Sequence, residues 1–151
     1  MNSWDPSLPR HPKWDTVQAR WMRKHPQCAV CGEIACKKNV HHKLPMSYLQ
    51  AINRLDLELD ERNLITLCVE PDMQHHALVG HLNFYASFNP WLMQTVAMCK
   101  GKSALQIFDM RDFQQMVNNR PKPVHQMNAK ELEELKNLTQ ETFPCLHTKP
   151  I

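Results

Sequence analysis

A chain of 151 residues that is 42% apolar has enough material for one hydrophobic core, and a net charge of +3 with a pI near 8.6 permits nucleic-acid binding without demanding it. No apolar stretch is long enough for a signal peptide or a membrane span, so a membrane partner is excluded and a cytoplasmic, intracellular protein is expected. In a reducing compartment the six cysteines are expected as metal ligands or buried thiols rather than as disulfides.

Asp5 to Pro12 reads as an extended leader, followed by a helix from about Trp14 to Lys24 with Trp14, Val17 and Trp21 on one face. His25-Pro26 stops it, because proline disfavours helical geometry in the residue before it. Cys28 and Cys31, three apart, suit a metal knuckle, whereas Cys36, Cys99 and Cys145 have no comparable partners and read as structural or free thiols. Lys13, Arg20, Arg23, Lys24, Lys37 and Lys38 against Asp15 and Glu33 put the basic charge around this cysteine and histidine segment.

Asn39 to His42 reads as a short strand, Met46 to Asn53 as a helical turn, and the alternation of Leu55, Leu57 and Leu59 as extended chain. Asn63 to Cys68, apolar and β-branched at its centre, is the best strand candidate. Asp72 is a plausible N-cap for a helix reaching about Ser87, with Phe84, Tyr85 and Phe88 as its core filling. Further helices are expected over about Trp91 to Met98, Ser103 to Asn118 and Asn128 to Glu141, the last with Asn128 and Glu131 at capping-box spacing. Arg120 to Pro123 reads as the linker before it.

The segment from about Trp14 to His81 resembles the HNH endonucleases, also called His-Me finger or ββα-metal nucleases. The residues that carry the resemblance are Pro26-Gln27-Cys28-Ala29-Val30-Cys31-Gly32, Val40-His41-His42-Lys43-Leu44-Pro45, Asn63-Leu64-Ile65-Thr66-Leu67-Cys68 and His75-His76. It implies a small α+β fold, a zinc-stabilised ββα-metal core with its N-terminal helix over residues 1–88, and a helical C-terminal extension over 89–151. The chain departs from the family pattern in three places. The second CxxC is replaced by Cys68 and, seven positions on, His75; no basic residue follows His76 closely; and Gly80 stands where a helical metal partner of His76 would fall, with His81 next to it.

Zinc prefers tetrahedral nitrogen and sulfur donors, and Cys28, Cys31, Cys68 and His75 form a closed set of that kind, expected to hold structural zinc. By analogy with the family, His41 and His76 hold a catalytic divalent ion, magnesium first with manganese or nickel as substitutes. Adjacent strand residues point to opposite faces, so His41 and His42 cannot easily share one ion and divide the labour, and the resemblance implies that His42 is the general base. Asn63 orients the base, braces the loop or approaches the ion, and whether His75 or His81 completes the metal sites stays open.

The expected activity is hydrolysis of phosphodiester bonds in double-stranded DNA, leaving 5′-phosphate and 3′-hydroxyl ends. A monomer would nick, and a double-strand break would need a homodimer or two encounters. The alternative is a zinc-stabilised nucleic-acid-binding module that has lost catalysis.

Overall fold

The computed structural model describes residues 10–70 and 74–147. Two antiparallel strands, β1 (Lys38–His42) and β2 (Leu64–Cys68), pair in a register that sets His41 opposite Ile65 and His42 opposite Leu64. Because successive strand residues face opposite ways, the sheet sorts its side chains. Val40 and Leu64 pack with Trp14 and Val17 of α1 (Trp14–Lys24) on one face, while Ile65 and Leu67 enter the larger core on the other. Thr66 ties the first face together: its hydroxyl accepts from the Trp21 indole N–H at 3.0 Å and donates to the His25 carbonyl at 2.8 Å.

Between the strands run α2 (Met46–Ala51) and two 3₁₀ turns, Leu55–Glu58 and Glu61–Asn63. The extended chain expected at Leu55, Leu57 and Leu59 is therefore a 3₁₀ turn. The only strands among the described residues are β1 and β2, so an extended segment there would leave its backbone groups without a partner. The turn satisfies them locally, with the Leu57 N–H donating to the Arg54 carbonyl, and Leu57 is fully buried.

After β2 the chain enters a π-helical segment, His76–Gly80, then α3 (Leu92–Cys99), α4 (Ala104–Phe108), α5 (Arg111–Asn118) and α6 (Ala129–Thr142). The helix expected to run to Ser87 is thus much shorter. Leu82 and Asn83, at φ of 50° and 64°, turn the chain out of helical geometry directly after His81. Asp72, its expected N-cap, lies outside the described residues. The helix expected over Ser103 to Asn118 is two, interrupted where Met110 takes extended backbone. The Asn128/Glu131 capping box forms as expected.

The result is a mixed α+β chain, mostly helical around one small sheet. A single large core runs from Cys28 to Leu146, so the C-terminal helices share it with the sheet. The Tyr48 hydroxyl, 2.8 Å from that of Thr139, links α2 to α6. Among the described residues no helix is long and apolar enough to cross a membrane.

Candidate functional site

Two groups of side chains converge at opposite ends of the short sheet, and the donor atoms within each group lie within 4.8 Å of one another. The first comprises Cys28, Cys31, Cys68 and His75, and it could hold a metal such as zinc. Gly32, at φ 76°, supplies the left-handed residue that closes the knuckle, its N–H donating to the Cys28 carbonyl at 2.9 Å. Cys28 Sγ stands 3.5 Å from His75 Nδ1, and Cys31 Sγ stands 3.4 Å from Cys68 Sγ. A zinc ion at ~2.05 Å from nitrogen and ~2.3 Å from sulfur would space a nitrogen and a sulfur donor about 3.6 Å apart and two sulfur donors about 3.8 Å apart, close to the first distance and somewhat longer than the second.

His75 fits that role in its tautomer as well. Its Nε2 lies 2.7 Å from the Lys102 carbonyl, which can only accept, so Nε2 carries the proton and Nδ1 turns its lone pair to the sulfurs. Burial pushes the Cys28 thiol up, and hydrogen bonds from the backbone N–H groups of Cys31, Val30 and Cys68 pull it down. Burial and the neighbouring Cys28 charge instead hold Cys31 above its ordinary value, despite a backbone hydrogen bond at Glu33. A cation between two such thiols would let both ionise near neutral pH.

Cys36, expected to stand without a partner, is joined to Cys68 in a disulfide. The six-residue loop from Cys31 folds Cys36 back against the end of β2, a proximity that sequence spacing does not reveal. A disulfide sulfur carries no thiolate charge, so Cys68 serves either Cys36 or the four-group set. The four-group arrangement accounts for more of the surroundings, namely the His75 tautomer and the fully buried Cys68, whose N–H donates to Cys28 Sγ at 3.4 Å.

The second group is His41, His76 and His81. His76 Nε2 lies 3.1 Å from His41 Nδ1 and 3.2 Å from His81 Nε2, so three imidazole nitrogens meet at one point. His81 is the residue whose place in this set the sequence left open. An ordinary α-helix pairs positions four apart, whereas π-helical winding is one residue wider and brings position 81 over position 76. Gly80 matters in another way: a Cβ there would come within 3.1 to 3.3 Å of three His41 ring atoms, so glycine lets that ring lie against the helix. The Ser87 carbonyl accepts from His81 Nδ1 at 2.8 Å, which leaves the His81 Nε2 lone pair facing the centre. The outer nitrogens of His41 and His76 are buried with no protein partner among the described residues.

Burial holds all three rings neutral. It puts His41 well below its ordinary value, reinforced by His81, His76 and His42; it brings His76 to about 4, with His81 acting the same way; and it lowers His81 against the opposing pull of the Ser87 carbonyl. Neutral imidazoles are metal ligands for ions such as zinc, copper, iron or nickel.

His42 faces the other way, as strand alternation requires. Its ring stacks on Trp14 at 4.6 Å, and its Nε2 lies 2.9 Å from the Glu58 carbonyl, which leaves Nδ1 as the nitrogen with a lone pair. Burial lowers His42 to about 4, opposed by the Glu58 carbonyl and helped by the Arg10 charge, so the ring is neutral. Both His41 and His42 open on one cleft of about 480 Å³, lined also by Arg10, His76, His81, Tyr85 and His125.

Asn63 spends its whole side-chain amide on backbone. It donates to the carbonyls of Leu44 and Leu57 at 3.1 and 3.2 Å and accepts from the Leu44 N–H at 2.7 Å. It thereby braces the loop after β1 and holds the residue next to Glu58, whose carbonyl orients His42. Phe88 fills the core as expected, but Phe84 and Tyr85 do not: Tyr85 is 63% exposed and stands over His76 and His81 at the lip of the cleft. His125, to which the sequence assigned nothing, reaches the cleft from the C-terminal region, and no local signal could have placed it there.

No protein-family model, no curated protein and no solved structure matches this chain, so the site rests on its own geometry.

Proposed function

We propose that this chain is a metal-dependent endonuclease of the HNH type acting on DNA. The observation that carries the reading is the placement of His42 beside a three-imidazole set but outside it, with the two opening on one cleft. Hydrolysing a phosphodiester needs an activated water, charge stabilisation on the phosphate and help for the departing 3′ oxygen. The divided histidines provide separate groups for these tasks.

Cys28, Cys31, Cys68 and His75 would hold structural zinc, tying the knuckle to the end of β2 and the start of the π segment. His41, His76 and His81 would hold a second ion, which when bound polarises a phosphate oxygen and eases departure of the 3′ oxygen. An all-nitrogen set suits nickel or zinc better than magnesium, which prefers oxygen ligands, so the expected ion shifts from magnesium to a transition metal. His42 keeps its N–H on the Glu58 carbonyl and takes the proton of the attacking water at Nδ1. Asn63 acts as a positioning residue through the loop it braces. One such unit engages one phosphate, so a monomer nicks.

The test is incubation of the purified protein with supercoiled plasmid in chelator, then with added Ni²⁺, Zn²⁺, Mn²⁺ or Mg²⁺. Metal-dependent nicking is expected, and His42→Ala should slow it by on the order of 10²-fold while the protein stays folded and keeps its zinc. Plasmid left intact with every ion would replace this reading with a zinc-stabilised nucleic-acid-binding module.

A further inference from the structure

Among the described residues lining the cleft, Arg10 is the one that carries a permanent positive charge. Its guanidinium sits 5.1 Å over the Trp14 ring, with Nη1 3.5 Å from His42 Nδ1 and 3.9 Å from Glu58 Oε2. The Arg10 side chain is 52% exposed and that of Glu58 only 6%. A buried carboxylate needs compensation, and Glu58 finds it in the His11 N–H at 3.1 Å and in Arg10. Glu58 thus has two duties: its carbonyl sets the tautomer of His42, and its carboxylate pins residues 10 and 11 at the mouth of the cleft.

The Arg10–Glu58 contact is long and uses one nitrogen, so among the described residues most of the five guanidinium N–H donors stay available. One of them lies against the lone pair that His42 would need in order to accept a proton. A phosphate oxygen is a far better acceptor for guanidinium than a neutral imidazole, and the fork geometry of arginine matches phosphate.

We propose that Arg10 is a phosphate-binding arm, anchored by Glu58, that grips a substrate phosphate beside the three-histidine set and in doing so leaves His42 Nδ1 free to meet water. The assignment rests on the nuclease reading above and extends it to how the substrate is held. Trp14 serves as the platform that keeps the guanidinium over the cleft, and Glu58 is a positioning residue.

The experiment compares wild type, Arg10→Ala, Arg10→Lys and Glu58→Gln in two assays. One is nicking of supercoiled plasmid with added nickel. The other is fluorescence anisotropy of a labelled DNA duplex without added nickel, over a range of salt concentrations. Arg10→Ala should slow nicking by about 10²-fold and lower the slope of log affinity against log salt by about 1, the loss of one phosphate contact, with the protein still folded and its melting temperature lowered because Glu58 loses part of its compensation. Arg10→Lys should keep the salt slope but recover nicking only in part, because a point charge lacks the fork. Glu58→Gln should cost less than Arg10→Ala, and the double variant should be no worse than Arg10→Ala alone. Arg10→Ala with wild-type nicking and salt slope would overturn the assignment while leaving the nuclease reading intact. Wild-type protein that neither nicks nor binds the duplex would take down both. Binding without nicking would remove the nuclease reading and with it the role given to Arg10.

Discussion

The two convergent groups are built from the same short stretch of sheet and helix, yet they differ in every property that matters for chemistry. The cysteine set is closed: four donors face one another, and its histidine is fixed from behind by the Lys102 carbonyl. The histidine set has three donors, no sulfur, and a cleft in front of it. A closed tetrahedral set suits a structural ion, whereas a three-donor set with an open side leaves room for a substrate atom. Adjacent residues at the start of the π segment, His75 and His76, enter different sets because successive helical side chains diverge by about 100°. One register therefore serves both groups, and variants that disturb one without the other test whether they are separate.

The largest effect is expected at the closed set. Cys68→Ser and His75→Ala should each lose bound metal and much of the fold, since structural zinc contributes on the order of 10 kcal/mol to small domains. Elemental analysis alongside circular dichroism checks this, and folded, fully stable protein without zinc would erase the distinction between the groups. Next come His81→Ala and Gly80→Ala, predicted to share a phenotype: zinc retained, melting temperature within a few degrees of wild type, metal-dependent nicking reduced by about 10-fold or more. The first removes a donor and the second displaces the His41 ring. If His81→Ala nicks normally while His76→Ala does not, the π winding has no part in activity. The smallest effect is expected for Cys36→Ser. If Cys68 belongs to the four-group set, this variant should keep its zinc and its stability, whereas a loss of stability of roughly 2–5 kcal/mol in chemical denaturation would mean that the disulfide is the working arrangement of Cys68.

Helix α1 was legible to the residue, because Trp14, Val17 and Trp21 repeat at helical spacing and His25-Pro26 ends it. Strand β2 was legible from its β-branched centre, and α6 from its capping box. Cys28, Cys31, Cys68 and His75 were legible as one set from the ligand order of the family resemblance together with donor type, and they do converge. The extended reading of Leu55 to Leu59 went astray because alternation of leucines over five residues does not distinguish a strand from a 3₁₀ turn that buries one of them. Aromatic residues usually belong to the core, which is the expectation that Phe84 and Tyr85 depart from. Two left-handed residues, Leu82 and Asn83, turn that stretch out toward solvent instead.

What the sequence determined by itself was local: residue type, periodicity and stop signals, which together specify the helices, the strands and the kinds of donor on offer. Which donors share a centre was decided by the tertiary structure. The π winding that places His81 over His76, the glycine that admits His41, the return of Cys36 to Cys68, and the reach of Lys102, Ser87 and His125 all depend on contacts between segments distant in the chain or on backbone geometry that no short pattern encodes. The physical reason is that ligand geometry is set to within a fraction of an ångström by packing, whereas sequence spacing constrains it only to within a helical turn.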